Sequence, residues 1–176
     1  HSILYQDAFD GDLMASTMNR PYERGDDFLI ISSDAMDIDH DQDEKTTTIT
    51  LKDEFKWNDG SEVVAEDIWY NYMVIGHKDY TGVRYTGDEM NIIGMEEYRN
   101  GETEDIEGVE IVDDKTVKLH FKSFYPSIQW GAGLWLDPIK YDVVKDIPIS
   151  ELETSDPIRK NPMSAGPFVL DRLVEG

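Results

Sequence analysis

The chain has 176 residues, 39% of them hydrophobic, which is enough for one domain with its own core or for two small lobes. Its 38 acidic and 16 basic residues give a formal net charge of −22. That charge argues against a nucleic-acid binder, which needs a basic surface, and disfavours binding to anionic membranes. No cysteine is present, so disulfides, thiolate catalysis and cysteine-ligated metals are excluded.

The first 40 residues show no clean hydrophobic period and are predicted to be an irregular lead-in with one or two short elements. The sequence starts with His1 rather than Met and shows no signal-peptide pattern. We therefore expect a processed protein or a piece of a longer one. No apolar run approaches the roughly 20 residues that cross a bilayer.

Aspartate occupies every second position of a stretch ahead of the first predicted strand: Asp37, Asp39, Asp41 and Asp43. This spacing opens an EF-hand calcium loop, which also needs glycine at its sixth position and glutamate at its twelfth. Counted from Asp37 these positions hold Gln42 and Thr48, and counting from Asp39 fails as well. We predict an exposed, metal-free hairpin turn over Asp37–Glu44.

Two stretches alternate apolar and polar residues with the period of a half-buried strand. Thr46–Leu51 is the first. The second, Val109–Phe121, shows the alternation twice around a turn at Asp113–Lys115, which predicts a β-hairpin. We expect this strand and this hairpin to share one sheet, covered by the helix Ala65–Gly76. A further strand is predicted over Phe168–Val174.

Two helices are predicted between the strands. The first, Ala65–Gly76, carries Glu66 and Asp67 in its first turn, where the helix dipole favours anions. The second runs from about Asp88 to Arg99 and ends at Asn100-Gly101. Residues 123–135 are predicted as a loop with a short helix, and residues 155–168 as a connector rich in Pro and Gly. Strands and helices without regular βαβ spacing predict an α+β fold with a mixed sheet.

The first predicted helix is apolar on nearly every face, and Asn71 is the polar residue in its middle. Such a helix is either buried in a core or shared between a core and a second apolar surface, and we favour the second reading in a chain this short. Tyrosine and tryptophan suit a ligand cleft because each joins a flat apolar body to a hydrogen-bonding tip. Core packing is the alternative for each of our candidate ligand-contacting residues, which are Tyr70, Tyr72, Trp130 and Trp135.

No catalytic centre, metal site or cofactor is predicted. The four histidines have no partner at zinc-ligand spacing, and no glycine-flanked serine elbow occurs. The glycines of GAGLW lack the spacing of a nucleotide site. Carboxylate pairs of the kind used in glycoside hydrolysis occur by chance among 38 acidic residues, so they carry no information.

The stretch FKWNDGSEVVAEDIWYNY resembles the signature of bacterial extracellular solute-binding proteins that serve peptide-importing ABC transporters. The matching positions are Trp57, Asn58, Asp59, Gly60, Val63, Ala65, Asp67 and Tyr70. Three more stretches resemble the family in the same order: TTTITLKDEF, VEIVDDKTVKLHFKSFYP and RKNPMSAGPFVL. The segment RYTGDEMNIIGMEEYRNGETEDIEGV is especially similar to oligopeptide-binding lipoproteins of Gram-positive bacteria.

The chain departs from the family pattern at a few positions. Glu62 stands where the family has Pro, and Ser164-Ala165 where it has Gly-Thr. Val64 stands at the N-cap position, where the family has Thr. Because Val64 has no side-chain oxygen, the helix start loses about 1 kcal/mol unless another group serves as the cap.

The resemblance implies a two-lobed fold of the type II periplasmic-binding-protein kind that closes over an extended peptide. On that basis this chain is the N-terminal fragment: residues 1–40 lead in, 41–160 form the core of the small domain, and 161–176 return toward the missing second lobe. The resemblance also implies capture of extracellular oligopeptides, delivery to membrane permease subunits, and a lipid anchor at the extracellular face of the cytoplasmic membrane. It gives Tyr70 a contact with the peptide backbone.

Several alternatives stay open. Within the resemblance they are a receptor for a peptide signal such as a pheromone, and a binding protein for another solute such as nickel or a sugar. Outside it, a surface adhesion domain is the main alternative, and an enzyme is the least favoured class.

Overall fold

The computed structural model describes residues 1–4, 21–166, 168–169 and 171. Its main sheet has four strands: β3 (Met36–Asp41), β4 (Thr46–Leu51), β5 (Val109–Asp113) and β6 (Thr116–His120). Their spatial order is β3-β4-β6-β5, and each pairing is antiparallel. A separate two-stranded hairpin, β1 (Glu23–Arg24) and β2 (Ile30–Ile31), lies within the predicted lead-in.

The predicted strand and the predicted hairpin share this sheet. In the register, Ile49 of β4 lies opposite Ile38 on one side and Val117 on the other. Ile49 and Val117 are fully buried. The alternation of apolar and polar residues therefore fixes which face of the sheet points into the core. The α+β class is confirmed, and the described strand pairings are all antiparallel.

The acidic stretch is a strand rather than a turn over most of its length, which corrects the prediction of a turn over Asp37–Glu44. Residues 36–41 form β3, and the turn occupies residues 42–45. The alternating aspartates are exposed while Met36 is buried and Ile38 is partly buried. The sheet thus begins at Met36, inside the stretch that was predicted to be irregular.

The first helix, α1 (Ala65–Gly76), has the predicted bounds and packs against β5 and β6. Ten of its twelve residues are buried within the described part of the chain. The polar Asn71 is among them and is fully buried. The helix is therefore largely enclosed by its own domain, which corrects the expectation that one apolar face would remain open.

The second predicted helix is divided in two, which corrects the single helix expected over Asp88–Arg99. Helices α2 (Gly87–Met90) and α3 (Met95–Arg99) are separated by residues 91–94. Those residues pair with the hairpin instead, through hydrogen bonds of Ile93 with His120 and Gly108. Gly94 has φ +79°, a left-handed conformation that favours glycine and ends the helical path. Asn100 is the C-cap of α3, as the sequence predicts.

The remaining elements are short. A 3₁₀ helix, η1 (Pro126–Trp130), fulfils the prediction of a short helix in residues 123–135. Three short helices were not predicted: α4 (Tyr141–Val144), α5 (Ile149–Leu152) and α6 (Asp156–Arg159). Of the strand predicted over Phe168–Val174, residues 168, 169 and 171 are described and are not in a strand, and the others lie outside the described residues.

None of the helices in the described residues is both long and apolar enough to cross a membrane.

Candidate ligand-binding site

The signature stretch builds a buried hydrogen-bond node around Asp67, in the first turn of α1. One carboxylate oxygen of Asp67 accepts from the Trp57 indole N–H (3.0 Å) and from the Val64 backbone N–H (3.1 Å). The other oxygen accepts from the backbone N–H of Tyr141 (2.9 Å). Burial raises the pKa of this carboxyl, and the three donated bonds oppose that rise. Asp67 thus ties the segment between β4 and α1, the helix start and the start of α4 together.

A second polar contact links the signature turn to the residue before α4. Asp59 accepts from the N–H and the hydroxyl of Ser61, and Lys140 binds the carboxylate of Asp59 and the hydroxyl of Ser61. The bond from Lys140 holds the pKa of Asp59 below its ordinary value. Gly60 has φ +86°, so the turn needs glycine there. The Asp-Gly pair of the signature is therefore a structural clamp.

The start of α1 is capped without a side chain at the N-cap. Val64 contributes no side-chain hydrogen bond, as its chemistry requires. Its own N–H donates to Asp67, and the first helical N–H, that of Ala65, donates to the carbonyl of Asp114 in the β5–β6 turn (2.9 Å). These acceptors satisfy the N–H groups at the helix start and so replace the side-chain cap that Val64 lacks.

Tyr70 is buried in the core, with 7% of its surface exposed. The centroid of its ring lies 5.1 Å from that of Tyr141. The Trp69 ring packs against both, with centroids 6.4 Å from Tyr70 and 5.8 Å from Tyr141. Burial raises the pKa of the Tyr70 phenol, so it stays neutral at physiological pH. The three rings, Trp69, Tyr70 and Tyr141, form what we call the aromatic cluster. Trp69 and Tyr141 keep part of their surface exposed.

Tyr72 and Trp135 are brought together, although they are 63 residues apart. The backbone N–H of Trp135 donates to the Tyr72 hydroxyl at 3.1 Å. Tyr72 is fully buried and its phenol pKa is raised by that burial. Tyr72 therefore has no exposed surface for a ligand in this structure. Its hydroxyl instead anchors the backbone at Trp135.

Trp135 is partly exposed and is held from several sides. Its indole N–H donates to the Glu89 carboxylate (2.8 Å), and the Arg84 guanidinium lies 5.5 Å from the ring centroid. Asn71 donates from its side-chain amide to the carbonyls of Trp135 (3.0 Å) and Asp137 (2.8 Å). The segment after η1 is thereby fastened to the buried face of α1.

Trp130 lies at the end of η1 and is 54% exposed. Its carbonyl accepts from Arg24 (3.1 Å), which also donates to the carbonyl of Phe28 (2.8 Å). Phe28 is exposed at the tip of the β1–β2 hairpin, where it has φ +65°. Trp130 is therefore linked through Arg24 to the β1–β2 hairpin.

Sequence reasoning missed four residues of this region: Arg84, Glu89, Asn71 and Tyr141. Two of them had a signal in the sequence. Asn71 is the one polar residue in the middle of an apolar helix, and Thr86 with Glu89 has the spacing of a capping box. Arg84 and Tyr141 had none, because their roles depend on contacts between distant segments.

No group of three or more metal-binding side chains is found in the part of the chain that the structure describes. His40 bonds to Thr47 through one ring nitrogen (2.9 Å) and lies edge-on to Phe124. His120 pairs with Glu110 (2.9 Å).

Comparison with known proteins gives these features a context. The sequence pattern of the bacterial extracellular solute-binding proteins, family 5 Middle, matches residues 31–176. The chain belongs to this family. The oligopeptide-binding protein OppA of Lactococcus lactis subsp. lactis is 34% identical to this solute-binding protein over 154 residues, 85% of this chain and 26% of that protein. The chain thus spans about a quarter of the length of that relative.

Solved structures share the fold of this solute-binding protein. Lactococcal OppA, complexed with an endogenous peptide in the closed conformation, has a TM-score of 0.90 at 29% identity. The match covers 99% of this chain and 34% of that one. The oligopeptide-binding protein AppA of Bacillus subtilis, in complex with a nonapeptide, has a TM-score of 0.79 at 20% identity, which shows the shared fold alone. It covers 99% of this chain and 32% of that one.

Proposed function

We propose that this solute-binding protein is part of the substrate-binding component of an ABC importer, and that it captures extracellular oligopeptides for delivery to membrane permease subunits. The observation that carries the proposal is the match of 99% of the chain, at a TM-score of 0.90, to lactococcal OppA in complex with a peptide. The fold, the signature clamp and the family membership all support it.

The domain organisation follows from the same proposal. The chain is the N-terminal fragment of a two-lobed protein, with residues 41–160 as the core of the small domain and residues 161–176 leading to the second lobe. The longer protein is held at the extracellular face of the cytoplasmic membrane by a lipid anchor. Closure of two lobes desolvates the peptide, so hydrogen bonds to it contribute more than they would on an open surface.

Within this chain, Tyr70 and Trp135 are the proposed peptide-contacting residues. Tyr70 keeps 7% of its surface exposed and packs against the partly exposed Tyr141, and a contact of Tyr70 with a peptide backbone is independent of peptide sequence. Trp135 offers a partly exposed indole whose polar groups are already engaged. Trp130 is a more distant candidate, and Tyr72 acts indirectly by holding Trp135.

The test is to purify the full-length protein that contains this chain and to identify the small molecules that copurify with it by native mass spectrometry. The proposal predicts a mixture of peptides of varied sequence. A single peptide species indicates a signal receptor instead. A bound metal or sugar, or no ligand in a protein that also fails to bind added peptides, contradicts the proposal.

A further inference from the structure

Trp135 combines a partly exposed indole with polar atoms that are all bonded internally. Its backbone N–H donates to Tyr72, its carbonyl accepts from Asn71, and its indole N–H donates to Glu89. A tryptophan on an ordinary loop leaves its indole N–H to water and changes rotamer freely. Here the backbone and the ring are fixed separately, by α1 and by α2.

Glu89, which accepts the indole N–H of Trp135, is unusual because its carboxylate is buried, with 1% of the residue exposed. One of its oxygens accepts from the backbone N–H and the hydroxyl of Thr86, both at 2.7 Å. The other accepts the indole N–H of Trp135. Burial of a carboxylate is costly unless hydrogen bonds satisfy it, and the indole supplies one of the three bonds that do so.

The loop that carries Trp135 also packs tightly against α2. A Cβ atom at Gly133 would lie 3.3 Å from the carbonyl oxygen of Asp88, and Gly133 itself has φ +72°. Both features favour glycine at this position. The loop therefore approaches α2 closely enough for the indole to reach Glu89.

Together these contacts make the indole a preorganised surface. We propose that Glu89 is a positioning residue that holds the Trp135 indole as a rigid platform for one apolar or aromatic side chain of a bound peptide, an inference that rests on the proposed function. The Arg84 guanidinium lies over the ring, 5.5 Å from its centroid, so the platform is the part of the indole that Arg84 leaves exposed. A rigid platform gains affinity because the side chain is already ordered before the peptide binds.

The size of the effect follows from ring contacts. Stacking of one aromatic pair contributes about 0.5–1.5 kcal/mol beyond area burial, which corresponds to about twofold to twelvefold in affinity. The platform therefore gives a preference of at least this size for phenylalanine over serine at one peptide position. Loss of the bond to Glu89 frees the indole and removes most of that preference.

The test uses the full-length protein and nonapeptides of alanine and serine that carry a single phenylalanine at each position in turn. Calorimetric titration gives the ratio of the dissociation constants of serine and phenylalanine peptides at each position. The variants are Glu89→Ala, Trp135→Phe and the double variant, with Glu97→Gln as a control that alters an exposed carboxylate on α3. Thermal unfolding of each variant reports whether it is folded.

The inference predicts that Glu89→Ala and Trp135→Phe each lower the preference at the same peptide position by about twofold to twelvefold. The double variant should lower it no further, since both changes remove one bond. Glu97→Gln should leave the preference unchanged. If Glu89→Ala does not fold, Trp135→Phe alone must still reduce the preference at that position.

Two results would overturn the inference while leaving the proposed function standing. One is equal loss of affinity for every peptide in the variants, which indicates a structural role for Glu89 only. The other is a wild-type protein that binds peptides with no phenylalanine preference at any position. A wild-type protein that binds none of the peptides contradicts the proposed function itself.

Discussion

Replacement of Asp67 by asparagine tests whether the hydrogen-bond node around Asp67 stabilises the fold. Asparagine has the same shape and keeps an oxygen that can accept from the Tyr141 N–H. Its amide NH₂ then faces two donors, the Trp57 indole N–H and the Val64 N–H, which both bond to one oxygen of Asp67 in the structure. In the flipped amide orientation, the NH₂ group instead faces the backbone N–H of Tyr141, which then has no acceptor.

The magnitude follows from the burial of the site. Asp67 and Trp57 are 3% and 4% exposed, so water cannot replace the lost acceptor. A buried donor without a partner costs about 1–3 kcal/mol, and two donors are affected. Part of this loss is offset, because burial raises the pKa of Asp67 and the neutral amide avoids burying a charge. We expect a net loss of about 3 kcal/mol in the free energy of unfolding.

Urea denaturation followed by tryptophan fluorescence measures this loss, which should lower the midpoint by about 1–2 M. The matched control is Asp142→Asn, since Asp142 is an exposed carboxylate whose described partner is Lys145. Exposed pairs contribute little, so its midpoint should stay near the wild-type value. An Asp67→Asn protein with the wild-type midpoint would show that the node around Asp67 does not stabilise the fold.

The other predictions concern pH, a glycine, a binding residue and calcium. Burial lowers the pKa of His40 below its ordinary value of 6.5, so the unfolded chain binds a proton more readily than the folded chain. The free energy of unfolding should therefore fall as pH drops below about 6.5. His40→Gln should flatten this part of the curve of stability against pH, and a curve that does not change would contradict this role of His40. Gly94→Ala should lower the free energy of unfolding measured in urea by at least about 1–2 kcal/mol, because Gly94 has a positive φ and the backbone nitrogen of Glu107 would lie 2.7 Å from the new Cβ. Gly87→Ala is the control and should be neutral, because its new Cβ meets no atom within 4 Å. Equal losses of stability in the two variants would refute this prediction. In the full-length protein Tyr70→Ala should weaken binding of many different peptides alike in calorimetric titrations, and a sequence-dependent loss would contradict a backbone contact. The acidic stretch Asp37–Glu44 should give no stoichiometric heat on titration with calcium in low salt, and a micromolar site would contradict this.

Local signals predicted the elements whose structure depends on local chemistry. The bounds of α1 follow from its acidic first turn and its terminal glycine, and those of β4, β5 and β6 from their alternation. The break between α2 and α3 depends on pairing of residues 91–94 with the hairpin, a contact that a helical period cannot reveal. Strand β3 had a two-residue period of its own, which its aspartates concealed because aspartate is rare in strands.

The candidate site was predictable in composition but not in arrangement. Tyr72 and Trp135 were predicted separately as candidate ligand-contacting residues, and the structure brings them together at α1. The sequence could not show that Tyr72 would be fully buried while Trp135 stays partly exposed. Nor could it show that Arg24 would link Trp130 to the β1–β2 hairpin, since both outcomes depend on how distant loops pack.

The central claim is that the full-length protein binds oligopeptides, and equilibrium titration tests it most directly. The full-length protein and the isolated 176-residue chain are each titrated with a nonapeptide library at physiological salt. The account predicts micromolar or tighter binding by the full-length protein, and binding no tighter than about millimolar by the isolated chain, because half a cleft leaves the peptide hydrated on one side. Absence of binding by the full-length protein to any peptide at millimolar concentration would contradict the account.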